Sequence, residues 1–255
     1  MRKAIVLFNL GGPDSLENVE PFLFNLFNDP AILNLPKLIR YPLAKLISKK
    51  RAPIARKIYQ EIGGSSPILK LTIDQANSLE NSLNAKQNNT EYKTFVVMRC
   101  WHPRASQTIQ EVKKFNPNET ILLPLYPQYS AATSGSSLLE WKEIASKNNL
   151  NIITKTICCY PEDKKFIKAH SKLIMEKIKD LNNFKLIFSA HGLPEKNIKK
   201  GDPYQWQTEQ TVKKIMDEIK NVNADYILSY QSRVGPLKWI GPSTEEVIVE
   251  NSKLK

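Results

Sequence analysis

Leu186-Ile187-Phe188-Ser189-Ala190-His191-Gly192-Leu193-Pro194 is an apolar run that stops abruptly at a histidine, then at Gly and Pro. It predicts a buried strand that delivers His191 to its carboxyl end, where a Gly-Pro turn closes it. In an open α/β sheet that edge is where ligands bind. A lone histidine is more often structural than catalytic, so position alone leaves both roles open. His102 and His170 lack one or both of these features.

Other strands are predicted at Ala4–Phe8, Phe95–Met98, Thr120–Leu123, from Asn151, and at Tyr226–Tyr230. Helical spacing lies between them: Ile68–Leu83, Ala105–Phe115, a segment led by Thr133–Ser137, Lys164–Leu181, and Tyr204–Ile219 with Trp206 and Val212 on its inner face. Strands that alternate with helices predict an α/β class with mainly parallel sheet. A boundary near residues 155–162 would divide two such units. Several strands end in polar and aromatic residues rather than plain turns: Arg99-Cys100-Trp101, Tyr126-Pro127-Gln128-Tyr129, Ser189-Ala190-His191 and Tyr230-Gln231-Ser232-Arg233. Such ends imply a cleft between α/β units.

Gly11-Gly12-Pro13-Asp14 predicts a turn after the first strand, with Asp14 or Ser15 capping a helix. G-x-G-x-x-G is absent and Pro13 lacks an N–H, which argues against a dinucleotide site. Residues 22–47 hold Phe22, Leu23, Phe24, Leu38, Ile39 and Leu46 among Lys37, Arg40 and Lys45. They read either as two core helices with basic outer faces, or as an apolar, basic-rimmed lip that touches a membrane or admits a greasy substrate. Arg51-Ala52-Pro53 predicts a fresh helix start, and Gly63-Gly64 its stop.

Hydrophobic residues at 41% and charged residues at 24% are ordinary globular values. No apolar run approaches the roughly 20 residues that span a bilayer. The basic-apolar start breaks at Asn9-Leu10-Gly11 without a cleavage site, so a first strand and a cytoplasmic protein are expected. Cys100, Cys158 and Cys159 have no metal-ligand spacing and read as packing residues in a reducing compartment. The net charge of +12 favours an anionic partner, whether nucleic acid, a membrane surface or a polycarboxylate. No basic helix with interleaved aromatics supports nucleic acid.

Taken together, these motifs resemble ferrochelatase, which inserts Fe2+ into protoporphyrin IX to make protohaem. The resemblance runs in order through Asn9–Pro13, Ile62–Pro67, Leu123–Ser130 with Gly135-Ser136-Ser137, Ser189–Pro194, Gly201-Asp202-Pro203-Tyr204 and Gln231–Pro236. It implies two Rossmann-like lobes, residues 1–158 and 159–255, with porphyrin in the cleft between them. It implies that His191 is the active-site histidine, as metal ligand or as acceptor of pyrrole protons. Arg51, Tyr59 and Ser66 match porphyrin-contacting positions, Arg51 and Ser66 near a propionate. Arg99 and Tyr126 match wall positions. Fe2+ is then substrate and no cofactor is permanently bound. Ala131 stands where some members place an iron–sulfur cysteine, so no cluster is expected. Peripheral contact with the inner membrane surface would run through residues 22–47.

The family continues past Gln231–Pro236 with a segment that carries an acidic residue facing the histidine. Here the residues end at Lys255. The expectation is an incomplete second lobe, with one ligand and one proton relay fewer. A non-catalytic porphyrin- or haem-binding remnant is therefore the alternative to an active enzyme.

Overall fold

The computed structural model describes residues 1–86, 89–219, 225–233 and 237–252. The chain forms two compact units: residues 1–126 with 131–158, and residues 127–130 with 159–255.

The first unit is built on four parallel strands in the order β2-β1-β3-β4: β1 Arg2–Asn9, β2 Glu91–Met98, β3 Glu119–Pro124 and β4 Ile153–Thr156. β1 is central, with Val6 opposite both Phe95 and Leu122. Successive side chains of a strand point to opposite faces, and here both faces are covered. Ala4, Val6 and Phe8 pack with Ile109 and Val112 of α4 (Ala105–Phe115) and with Trp141 of α5 (Ser136–Lys147). Ile5 and Leu7 pack on the other face with Ala76 of α3 (Ile68–Asn84). Each such buried Val, Ile, Leu or Phe side chain contributes about 1.5–3 kcal/mol over leaving it in water.

Two helices precede α3. In α1 (Val19–Phe27), Val19, Phe22 and Leu23 are buried against Ala52, Cys100 and Trp101. In α2 (Lys37–Glu61), Leu38 is 90% exposed, and Ile39, Leu46, Ile54 and Ile58 are exposed as well. The core reading of residues 22–47 thus holds for α1, whereas α2 leaves a row of apolar side chains open.

Two helix boundaries differ from expectation. α2 runs straight through Arg51–Pro53, with Pro42 and Pro53 inside it. A proline removes one i to i−4 bond. The carbonyl freed by Pro53 belongs to Lys49, an exposed residue that water can satisfy. Neither Asp14 nor Ser15 caps α1. Its N-cap is Asn18, whose side-chain amide instead donates to Asp14 at 2.7 Å.

In the second unit, β5 (Leu186–His191) and β6 (Tyr226–Gln231) pair in parallel, Leu186 with Tyr226 through His191 with Gln231. Around them lie α6 (Lys164–Ile178), the short α7 (Glu195–Lys199), α8 (Tyr204–Glu218) and α9 (Thr244–Asn251). β5 is not the buried strand its composition predicts. Its residues alternate between partly buried and exposed, because among the described residues this sheet has only these two strands. Val212 lies on the inner face of α8 as expected, but Trp206 is exposed. The buried face is Gln207, Thr208, Thr211, Val212 and Ile215. Of the cysteines only Cys100 is buried; Cys158 is exposed, which corrects its packing role. No helix among the described residues is long and apolar enough to cross a membrane. Val234-Gly235-Pro236, part of one motif above, lie outside the described residues.

Candidate functional site

Five of the candidate residues belong to the first unit and His191 to the second. Arg51 and Tyr59 are eight positions apart on α2, two repeats of the i to i+4 spacing, and so share a face about 12 Å long. Tyr59 and Ala55, which lies between them, pack against the Val19–Phe22–Trp101 cluster. Burial pushes the Tyr59 phenol above its usual pKa. The Arg51 guanidinium lies over the Phe27 ring, 5.7 Å from its centroid. Among the described residues no carboxylate pairs with it, so this cation is available to an anion.

Ser66 is delivered by the turn that ends α2. Gly63 and Gly64 take φ of +97° and +84°, and the Gly64 N–H donates back to Tyr59 O at 2.8 Å. The Ser66 N–H then donates to Pro13 O at 2.8 Å, which docks this turn on the turn after β1. That contact explains Gly12: a Cβ there would lie 2.4 Å from Ser66 Oγ and 2.5 Å from Ser66 Cβ. The double glycine after β1 is therefore a close-approach device rather than a phosphate cradle. Gly12→Ala should shift the Ser66 turn and cost about 1–3 kcal/mol, the usual range for overpacking. Urea unfolding checks this, and an unchanged midpoint would contradict it.

Arg99, just past β2, is fully engaged within the protein. Its Nη2 is 3.0 Å from Asp29 Oδ2 and its Nη1 3.2 Å from Glu140 Oε1. Its Nε donates to Ser136 Oγ at 2.7 Å. Arg104 shares the Glu140 carboxylate. Tyr126, just past β3, has a buried hydroxyl beside Ser137 that closes no well-formed hydrogen bond. Burial raises its pKa far above the usual phenol value. Burial also pushes Cys100 up to about 12, so it stays a neutral thiol. Sequence reading missed Asp29 and Glu140, and had Ser136 only within the Gly135-Ser136-Ser137 motif, without a role. The one local signal was an acid, Asp29, inside an apolar stretch.

His191 is the last residue of β5 and is exposed. Its Nδ1 is 2.7 Å from the Gly192 carbonyl. A carbonyl only accepts, so Nδ1 carries the proton, and in the neutral ring the Nε2 lone pair meets no partner among the described residues. Such a nitrogen can bind a divalent metal or take a proton. The loop behind it is held rigidly. The Gly192 N–H donates to Gln231 O at 2.7 Å, and the Ile240 N–H to Leu193 O at 3.0 Å. A Cβ on Gly192 would come within 2.9 Å of Gln231 O, so glycine is required next to the histidine. The Tyr204 hydroxyl sits against the His191 backbone, its pKa raised by burial. Tyr204 itself is placed by Asp202, which accepts from the Tyr204 N–H at 3.1 Å and from Ser130 Oγ at 2.9 Å. Among the described residues no group of three His, Cys, Asp or Glu could hold a metal.

A family model described as ferrochelatase matches residues 2–255. The chain is 71% identical over 254 residues to the ferrochelatase of Pelagibacter ubique (strain HTCC1062), covering 100% of this chain and 74% of that protein. It is 52% identical over 247 residues to the ferrochelatase of Rickettsia bellii (strain OSU 85-389), covering 97% of this chain and 68% of that one. It is 50% identical over 252 residues to the ferrochelatase of Wolbachia pipientis wMel, covering 98% and 80%. A match over almost every residue, to relatives of which the chain covers more than two thirds, leaves one conclusion: the chain belongs to the ferrochelatase family.

Proposed function

We propose that this chain is a ferrochelatase that inserts Fe2+ into protoporphyrin IX to form protohaem. The observation that carries the reading is the family match over residues 2–255, together with a strand-end histidine whose Nε2 lone pair meets no partner among the described residues. Porphyrin is a flat apolar disc with two carboxylates. Arg51, a guanidinium beside Phe27 with no carboxylate partner among the described residues and on the Tyr59 face of α2, suits a propionate, and Ser66 offers a hydroxyl from the following turn. Tyr126 and the Arg99 region supply wall. Metal insertion removes two pyrrole protons. His191 accepts one of them through Nε2 and water takes the other, or Nε2 holds the incoming metal and water takes both; Fe2+ is substrate throughout. No iron–sulfur cluster is part of this proposal.

Esterifying both propionates tests the carboxylate reading. Protoporphyrin dimethyl ester should bind the chain about tenfold more weakly than the free acid, by fluorescence titration. Equal affinities would remove Arg51 and Ser66 from the propionate role. Porphyrin binding without metal insertion would favour the alternative, a non-catalytic porphyrin- or haem-binding protein.

The exposed apolar row on α2, among Lys37, Lys45, Lys49 and Lys50, supports a peripheral contact with an anionic membrane surface. Each buried leucine or isoleucine side chain would add about 1.5–3 kcal/mol to such a contact. Leu38→Glu with Ile39→Glu should therefore cut co-sedimentation with phosphatidylglycerol vesicles by at least about tenfold. Equal pelleting of the folded variant and the wild type would refute the membrane contact.

A further inference from the structure

We propose that Asp29 is a positioning residue that fixes the α1–α2 turn against the carboxyl edge of the first sheet and so sets porphyrin affinity. This rests on the ferrochelatase reading, in which porphyrin passes α2 and lies against the Arg99 and Tyr126 wall. Asp29 sits in the turn after α1, its side chain only 2% exposed. Its Oδ1 accepts from the Ala31 N–H at 2.9 Å. Its Oδ2 accepts from Ser136 Oγ at 2.6 Å and pairs with Arg99 Nη2 at 3.0 Å. Arg99 Nε closes the triangle onto Ser136 Oγ. One carboxylate thus ties the head of the substrate-facing helices to the end of β2 and the first turn of α5. Arg40 holds the same turn from the other side, donating to Asn28 O at 2.9 Å and to Leu35 O.

The cluster is charge-balanced, with Asp29 and Glu140 facing Arg99 and Arg104. A buried ion pair is a poor source of net stability, since apolar side chains of like volume do as well or better. What it supplies is one geometry, because each donor has one partner direction. Asp29 touches no reacting atom. It acts through the Arg99 guanidinium and through the position of the turn.

Asp29→Asn is the test. It is isosteric and keeps the Ala31 contact, but turns an NH2 toward Arg99 and Ser136. The Km for protoporphyrin should rise about tenfold with kcat within about threefold of wild type. Introduced on top of Arg99→Lys, the same change should raise Km by less than about threefold, since the two residues act through one contact. Ser136→Ala removes a corner of the triangle without changing charge. It should raise Km about threefold, and it carries the test if Asp29→Asn fails to fold. A folded Asp29→Asn protein with Km within about twofold of wild type overturns the proposal. So does an Asp29→Asn effect of equal size in both backgrounds. A wild-type chain that binds no porphyrin overturns the parent reading, and this proposal with it.

Discussion

His191→Ala is expected to lower metal insertion by about 10²–10⁴-fold, the range for removing a proton-transferring group. Porphyrin affinity should stay within about twofold, because the proposed disc and propionate contacts come from the first unit. The ring's tautomer leaves Nε2 as the reactive nitrogen. The ring's Nδ1 donates to the Gly192 carbonyl at 2.7 Å, so alanine removes the one imidazole lone pair at this strand end. His191 is exposed and its loop is held by backbone bonds, so stability should change by less than about 0.5 kcal/mol. Loss of insertion with an unchanged urea midpoint would isolate the chemistry from the fold. A variant that keeps full activity would show that His191 is structural.

Arg99→Met should cost about 3–5 kcal/mol, the range for removing one partner of a buried pair. Asp29 and Glu140 would lose their shared cation, and Asp29 is 2% exposed. At about 2–4 °C per kcal/mol the first unit should melt roughly 6–20 °C lower. The fluorescence of Trp101 and Trp141, both buried in that unit, follows the transition. Asp29→Asn combined with Arg99→Met should recover part of the loss, because it removes the stranded charge as well. A loss below about 1 kcal/mol for Arg99→Met would mean that water screens the cluster as it does at a surface.

The elements that sequence made legible are those whose signal is local. β1 is a five-residue apolar core because a central parallel strand is covered on both faces, and composition alone shows that. α4 spans the Ala105–Phe115 range that helical spacing predicts. Trp206 could have been placed correctly from periodicity, since it lies one residue off the 207, 208, 211, 212, 215 stripe. Pro53 misled because proline marks both a helix start and a tolerated interruption, and only the exposed Lys49 carbonyl decides between them. The burial of β5 was illegible for another reason: an apolar run does not say how many strands will flank it.

The candidate site divides in the same way. His191 and Ser66 stand in motifs of a few residues, whereas Arg51 and Tyr59 came only with the family resemblance. The Asp29–Ser136 bond joins positions 107 apart, and no local pattern encodes such a pair. Arg99 was visible as a polar strand end, but its partners were not. Gly12 was visible as a turn glycine, but its reason, the approach of Ser66, needed the fold.

Multiple-turnover metal insertion by this 255-residue chain decides whether it is an enzyme. Protoporphyrin IX in large excess over protein is mixed with Fe2+ without oxygen, and absorbance is followed as free base converts to metalloporphyrin. Many equivalents of protohaem per chain are expected. Porphyrin that binds saturably but remains free base would contradict the enzyme reading.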